Sequence, residues 1–431
     1  MGISGLQMME KERRWTHTRW LAGVLVLAVV VMARPQAANA HGEAADQPFL
    51  KNLTTAFYDV QISPTMIEVG QPVTITGTVR ILSTWPYTLS APETAYITPV
   101  VPGPVFALTD RTVNGEIAPG SIFVERGQSY QFKMVMVGRI PGRYHVHPGI
   151  AVQGTGTLVG PGEWITIEPS AVAFSYPVTL LSGKTINLED YGTSFVWWWS
   201  FAGFVLGVIW MVYWTVPKPT VTRLAVTSQL PVNDDAPDIG LITRTDHFWM
   251  NVLAGLAIIM LVGGWIYIGA RYPVRLPQQT IRTSTEFVDS GPHIAEARAT
   301  GAASYDAGNA TLTMKFAVKN VSSSPITVKQ FIMAMTTFVN GGAEERRNAG
   351  PPHYVGELSV EPNTAIAAGD TQNVVLKIKS GLFAEERLIP EHDPQQVIAG
   401  LLRVANAQGQ QELVTVKSTV MPTEFRAQYL P

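Results

Sequence analysis

The sequence predicts a mainly β protein in which two β-sandwich domains are joined by two transmembrane helices, after a cleaved signal peptide. Three observations predict this fold class. Apolar and polar residues alternate in both halves of the chain, glycine and proline recur at short intervals, and two long uncharged apolar segments lie in the middle. The 431 residues are enough for more than one domain with its own hydrophobic core.

The composition excludes several classes of function. The formal net charge is only −2, from 31 basic and 33 acidic residues, and no run of Lys or Arg indicates a nucleic-acid partner. The chain has no cysteine, which excludes disulfides, iron–sulfur clusters and thiolate-ligated copper. Any bound metal must therefore be held by histidine, methionine, carboxylate or backbone groups.

Residues 1–40 have the three regions of a secretory signal peptide. An apolar run from Leu21 to Ala33 is followed by Ala38-Asn39-Ala40, which matches a signal-peptidase site. The alternative, an uncleaved membrane anchor, is disfavoured because the apolar run is short for a membrane span. Cleavage after Ala40 would make His41 the first residue of the mature protein. The basic residues before the run are Lys11, Arg13, Arg14 and Arg19.

Residues 41–190 are predicted to form the first β domain. From Val73 to Ile81 apolar residues alternate with threonine and arginine, which is the pattern of a half-buried strand. Further strands are predicted from Phe132 to Ile140 and from Trp164 to Ile167. Turn residues between them suit a β-sandwich.

Residues 191–278 are predicted to contain the two membrane spans, at about 195–216 and 248–270, with a short cytoplasmic loop between them. Aromatic residues cluster near the ends of both segments, where the membrane interfaces should lie. The alternative is a pair of buried helices in a soluble protein. With an exported N-terminus, two spans place both β domains on the periplasmic side.

Residues 279–431 are predicted to form a second β-sandwich domain. Apolar residues alternate with polar ones from Leu312 to Lys319, and strands are also predicted from Val374 to Ile378 and from Glu412 to Val416. The sequence shows no convincing repeat between the two β domains.

A candidate metal site is formed by three histidines. His145 and His147 are two residues apart, so on a strand both side chains point to one face. The free amine and imidazole of an N-terminal His41 could chelate the same ion, because a metal displaces the amine proton at neutral pH. Copper has the highest affinity among divalent ions for such a nitrogen-only set. The alternative for His145 and His147 is a hydrogen-bonded pair without metal.

Particular strings of residues give the chain a resemblance to a known family. From His41 to the C-terminus it resembles the B subunit of the copper membrane monooxygenases, which include particulate methane monooxygenase and ammonia monooxygenase. The strings are His41-Gly42-Glu43, Phe57-Tyr58-Asp59, Trp85-Pro86, Pro102-Gly103-Pro104-Val105-Phe106, Pro141-Gly142-Arg143, His145-Val146-His147, Gly160-Pro161-Gly162-Glu163-Trp164-Ile165-Thr166, Pro177-Val178-Thr179 and Gly183-Lys184-Thr185.

The resemblance implies two cupredoxin-like domains and copper at His41, His145 and His147. It also implies A and C subunits as partners in a trimer of heterotrimers, in contact with lipid of a bacterial inner or intracytoplasmic membrane. The complex would hydroxylate methane, ammonia or a short alkane with O2. The resemblance leaves open whether this chemistry occurs at the copper of the B subunit or at metal sites in the C subunit. The alternative function is a membrane-tethered periplasmic copper-binding or delivery protein without catalytic partners.

One departure from the family concerns a second copper. Some methane-oxidising relatives carry a further pair of histidines in the first domain, where this chain has Ala56 and Arg80. We therefore expect this chain to hold a single copper.

Overall fold

The computed structural model describes residues 48–180, 182–217, 225, 243–272, 291–390 and 396–422. The predicted signal peptide, His41 and most of the loop between the predicted spans lie outside the described residues.

The first β unit begins with a short helix, α1 (Pro48–Asn52), that leads directly into the first strand. The strands follow in chain order as β1 (Thr55–Ser63), β2 (Met66–Glu68), β3 (Pro72–Ile81), β4 (Thr94–Val100), β5 (Phe106–Val113), β6 (Glu116–Ile117), β7 (Ile122–Phe123), β8 (Ser129–Gly138), β9 (Gly142–Val152), β10 (Gly156–Val159), β11 (Glu163–Glu168), β12 (Pro177–Thr179) and β13 (Thr185–Asn187).

Two sheets of this unit pack face to face. One has the order β1-β3-β8-β5-β6, and the other has the order β2-β11-β9-β4-β7 with β10 beside β9. Apolar side chains from both sheets form a shared core, including Val79, Met134, Val146 and Ile165. Strand β9 lies inside the second sheet, between β11 and β4, so side chains on its outer face have a neighbour on each side.

Two long helices follow, α2 (Thr193–Thr215) and α3 (Arg244–Arg271), and both are long and apolar enough to cross a membrane. No residue of α2 is buried within this chain. The helices meet where Trp199 lies against Gly264, whose missing side chain leaves room for the indole. At the start of α3 the Asp246 carboxylate accepts hydrogen bonds from the Thr243 backbone N–H and from the Tyr213 hydroxyl of α2. That carboxylate both caps α3 and ties it to α2.

The second β unit is built on one continuous ten-stranded sheet. A parallel pairing of Ala303–Tyr305 with Val420–Pro422 joins its two layers, which wrap around a common core. The strands are β14 (Ala295–Ala299), β15 (Ala303–Asp306), β16 (Thr311–Asn320), β17 (Ile326–Met333), β18 (Thr336–Val339), β19 (Val355–Glu357), β20 (Ser359–Glu361), β21 (Thr371–Lys379), β22 (Val397–Asn406) and β23 (Gln411–Pro422). The helices are α4 (Ala343–Arg347), a 3-10 turn (Pro352–Tyr354) and α5 (Leu382–Glu385).

The two β units dock through a segment that is buried from Lys51 to Tyr58. The Phe57 backbone N–H donates to the Ala334 carbonyl of the second unit at 2.8 Å. Beside this bond lies an apolar cluster drawn from both units. Its buried members are Leu53, Ala56, Tyr58, Leu82, Ile332, Ala399 and Leu401.

The predicted mainly β fold with two long apolar helices is confirmed. Strand β3 covers the predicted run from Val73 to Ile81, and β16 covers the predicted run from Leu312 to Lys319. Strand β8 ends at Gly138, two residues before the predicted end, because the chain turns ahead of Pro141-Gly142. The domain boundaries at residues 190 and 279 remain predictions.

Candidate metal centre

Strand β9 carries both described histidines of the predicted site. His145 and His147 lie on its outer face, while Val146 between them is fully buried in the core of the sandwich. In the ladder, Trp164 of β11 is opposite His145 and Val100 of β4 is opposite His147. The alternation predicted from the sequence therefore brings the two imidazoles together.

The two imidazoles present nitrogen atoms to each other. His147 Nε2 lies 3.0 Å from His145 Nδ1, and the rings are nearly perpendicular at 76°. Imidazole nitrogens bind first-row metal ions at about 2.0 Å, so two on one ion lie about 2.8–3.3 Å apart. The observed separation is that of a hydrogen bond between the two rings, and it also fits a pair of ligands to one metal ion.

The loop after β10 fixes the His147 ring. Its Nδ1 is 2.9 Å from the Gly160 carbonyl, to which Nδ1–H donates, so the lone pair is on Nε2. Metal-binding histidines commonly donate their other N–H to a carbonyl in this way. A Cβ on Gly162 would lie 2.4 Å from His147 Cε1, so the ring rests against the backbone of this glycine.

The two sides of the histidine pair differ in exposure. His147 is 3% exposed and lies edge to face against Tyr354 of the second β unit, which is also buried. His145 is half-buried and stacks on Trp164, whose centroid is 4.9 Å away. The Arg143 guanidinium lies 4.8 Å from the Trp164 ring centroid. The pair is thus enclosed by the second unit on one side and flanked by a half-exposed indole on the other.

Two histidines are fewer than a tight metal site requires. Within the described residues, no group of three or more His, Asp or Glu side chains could hold a metal ion. The predicted third ligand, His41, lies outside the described residues, so the three-histidine site remains a prediction. The two donor groups that are described are both imidazoles, which suit copper among the first-row metals.

Some relatives carry a second pair of histidines at the positions that Ala56 and Arg80 occupy in this chain. These two residues are direct cross-strand partners on β1 and β3. Alanine has no ligand atom, and a guanidinium does not lose its proton in proteins. Arg80 instead donates through Nη1 to the Leu413 carbonyl of the second β unit at 3.5 Å.

Four residues around the histidines were not assigned a role from the sequence: Gly160, Gly162, Trp164 and Tyr354. The first three lie within the string from Gly160 to Thr166 that carries the family resemblance, so the sequence could have marked them as candidates for a role at the site. Tyr354 reaches the site only through docking of the two units, and no local pattern in the sequence predicts that contact.

The fold and the histidine pair define a two-unit β protein with two helices able to span a membrane and a candidate metal centre between its units. The family model for monooxygenase B-subunit proteins matches residues 42–424, and the chain belongs to this family. It is 29% identical over 411 residues to the particulate methane monooxygenase alpha subunit of Methylococcus capsulatus (strain Bath), covering 94% of this chain and 97% of that protein.

Two solved structures are also similar in part. The cupredoxin domain of AmoB from Nitrosocaldus yellowstonii is 16% identical and covers 29% of this chain and 97% of that domain, with a TM-score of 0.23. A cohesin module from a family 33 glycoside hydrolase of Clostridium perfringens is 11% identical and covers 27% of this chain and 99% of the module, with a TM-score of 0.17. Scores this low do not define a common fold, so family membership rests on the sequence match.

Proposed function

We propose that this chain is the copper-binding B subunit of a membrane-bound copper monooxygenase that hydroxylates methane, ammonia or a short alkane with O2. Copper is held by the His145 and His147 imidazoles together with the amine and imidazole of His41. The observation that carries this proposal is the 3.0 Å approach of His147 Nε2 to His145 Nδ1, with the tautomer of His147 set by the Gly160 carbonyl.

The protein's own groups give the centre its rigidity. The Gly160 carbonyl holds the proton of His147 on Nδ1 and so places the ring's lone pair on Nε2, the atom that would bind the metal. Tyr354 and the backbone of Gly162 confine the same ring and exclude water from its buried side. When bound, copper would supply redox chemistry with O2, either at this centre or in support of a partner protein of the complex.

The proposed assembly includes the A and C subunits in a trimer of heterotrimers in a bacterial inner or intracytoplasmic membrane. Both β units lie on the periplasmic side, and α2 and α3 contact lipid and partner helices. No residue of α2 is buried within this chain, which supports this, because an apolar helix of 23 residues needs an apolar surround. The alternative delivery protein without partners is not favoured, since the similarity extends over 97% of a protein from a methane monooxygenase.

Two measurements on the purified complex test the proposal. Copper analysis should find copper that is lost when His145 and His147 are both changed to Ala. Substrate-dependent O2 consumption, measured separately with methane, ammonia and a short alkane, should identify the substrate class. Copper retained in full by the double variant would refute the site, and no O2 consumption with any of the three would refute the substrate range.

A further inference from the structure

The two histidines are held by different means. His147 is fixed by the Gly160 carbonyl and by close packing on the backbone of Gly162. His145 is half-buried, and its ring lies nearly parallel to the Trp164 indole, with an interplanar angle of 24° and centroids 4.9 Å apart. Such offset stacking restricts the tilt of both rings and is a favourable contact between aromatic groups.

Trp164 is placed for this contact by the sheet and not by the hydrophobic core. It is the direct cross-strand partner of His145, and neighbouring β11 residues Ile165 and Ile167 point into the core. Its side chain remains 43% exposed, so the indole covers the face of His145 instead of filling the interior. The Arg143 guanidinium over the same indole adds a cation–π contact that holds it.

We propose that Trp164 is a positioning residue for the metal centre, which orients the His145 ring so that its Nδ1 and His147 Nε2 face one ion. Arg143 supports this role of Trp164, because its guanidinium restricts the movement of the indole ring. This inference rests on the proposed copper site. A metal ligand that can tilt freely loses affinity, because ordering the ring then costs conformational entropy on binding.

The experiment uses the full purified complex, depleted of metal and titrated with copper in competition with a chelator. Trp164→Leu should weaken copper binding on the order of tenfold and alter the nitrogen hyperfine pattern of the Cu(II) spectrum. Trp164→Phe, which keeps a stacking ring, should restore most of the affinity. Arg143→Gln should give a smaller loss, of about two- to fivefold.

A matched control is available on the same sheet. Phe123 is 42% exposed, and it lies on β7, two strands further along the sheet from His145. Phe123→Leu removes an equally exposed ring and should leave copper affinity and the spectrum unchanged. If Phe123→Leu lowers copper affinity and alters the spectrum as much as Trp164→Leu does, both changes reflect a general loss of sheet stability. The positioning role of Trp164 is then refuted.

The remaining outcomes separate the two proposals. Unchanged affinity and spectrum in Trp164→Leu, while His145→Ala loses copper, would overturn the positioning role alone. Copper binding that is unaffected by His145→Ala would overturn the proposed copper site, and the positioning role with it. Failure of Trp164→Phe to rescue the Trp164→Leu defect would also overturn a role based on stacking.

Discussion

Tyr354 of the second β unit lies edge to face against His147 of the first, with ring centroids 6.2 Å apart. The candidate metal centre is therefore enclosed on one side by the docking of the two units, although both described histidines belong to one strand. The same docking buries the segment from Lys51 to Tyr58, which links the predicted N-terminal ligand to the first sheet.

Changing Tyr354 to Ala should destabilise the protein and loosen the centre. Removing a fully buried aromatic side chain costs about 3–5 kcal/mol, through lost burial and the cavity that remains. We expect a lower thermal unfolding midpoint and weaker copper binding, both measured on the purified complex. Equal copper affinity in a folded Tyr354→Ala complex would show that the second unit does not confine His147.

Gly162→Ala should damage the centre with little effect on the rest of the fold. The added Cβ would lie 2.4 Å from His147 Cε1 and 2.5 Å from its Nδ1, so either the ring or the glycine loop must shift, which should disturb the contact of His147 with the Gly160 carbonyl. We expect copper affinity to fall about 10- to 100-fold. Gly301→Ala is the matched control, because nothing lies within 4 Å of a Cβ added there.

Two ion pairs between the units should differ in their contribution to stability. Lys51 is 4% exposed, and its ammonium donates a hydrogen bond to the backbone carbonyl of Glu386 at 2.8 Å. The same ammonium lies 3.8 Å from the side-chain carboxylate of Glu386. Lys51→Met leaves a buried carboxylate and should cost about 3–5 kcal/mol. Arg403 forms a bidentate pair with Asp59, which is 53% exposed, so Arg403→Met should cost less than about 1 kcal/mol. Denaturant unfolding of both variants tests this contrast, and equal losses would contradict it.

Much of the fold follows from local sequence patterns, and much of the site does not. Alternation located β3 and β16, and uncharged apolar length located α2 and α3, because each depends on near neighbours in the chain. The spacing of His145 and His147 predicted their approach for the same reason. By contrast, the contacts of Trp164, Gly162 and Tyr354 depend on the register of β9 with β11 and on docking of distant units. The joining of the second unit into one sheet likewise depends on a long-range pairing of β15 with β23.

His293 should make stability depend on pH. A hydrogen bond and the charge of Glu412, with a smaller contribution from Glu296, raise its pKa above the ordinary 6.5. A raised pKa in the folded state means that folding stabilises the protonated form of His293. Its contribution to the free energy of unfolding is therefore fully present below about pH 6.5 and is lost as pH rises through the folded-state pKa. Because the side chain is 62% exposed, the effect should stay below about 1 kcal/mol. His293→Gln should remove this pH dependence of the free energy of unfolding. If the wild type instead becomes more stable than the variant as pH rises, the raised pKa of His293 is contradicted.

The N-terminal amine can be tested separately from the imidazole of His41. Inserting one Ala between Ala40 and His41 should leave Ala-His at the mature N-terminus, which keeps the imidazole but turns its amine into a peptide amide. The new amine is one residue away and cannot close the same chelate ring. Copper affinity should fall on the order of tenfold to a hundredfold, as for loss of a ligand.

Intact-mass analysis must first establish the N-terminus of the wild type and of this insertion variant. A second insertion variant, with the extra Ala placed after Glu43, keeps His41 first in the chain. That variant should bind copper more tightly than the Ala-His protein, because it preserves the amine and imidazole of one residue as a chelate. Unchanged affinity and nitrogen hyperfine structure in the Ala-His protein would mean that His41 does not bind through its amine.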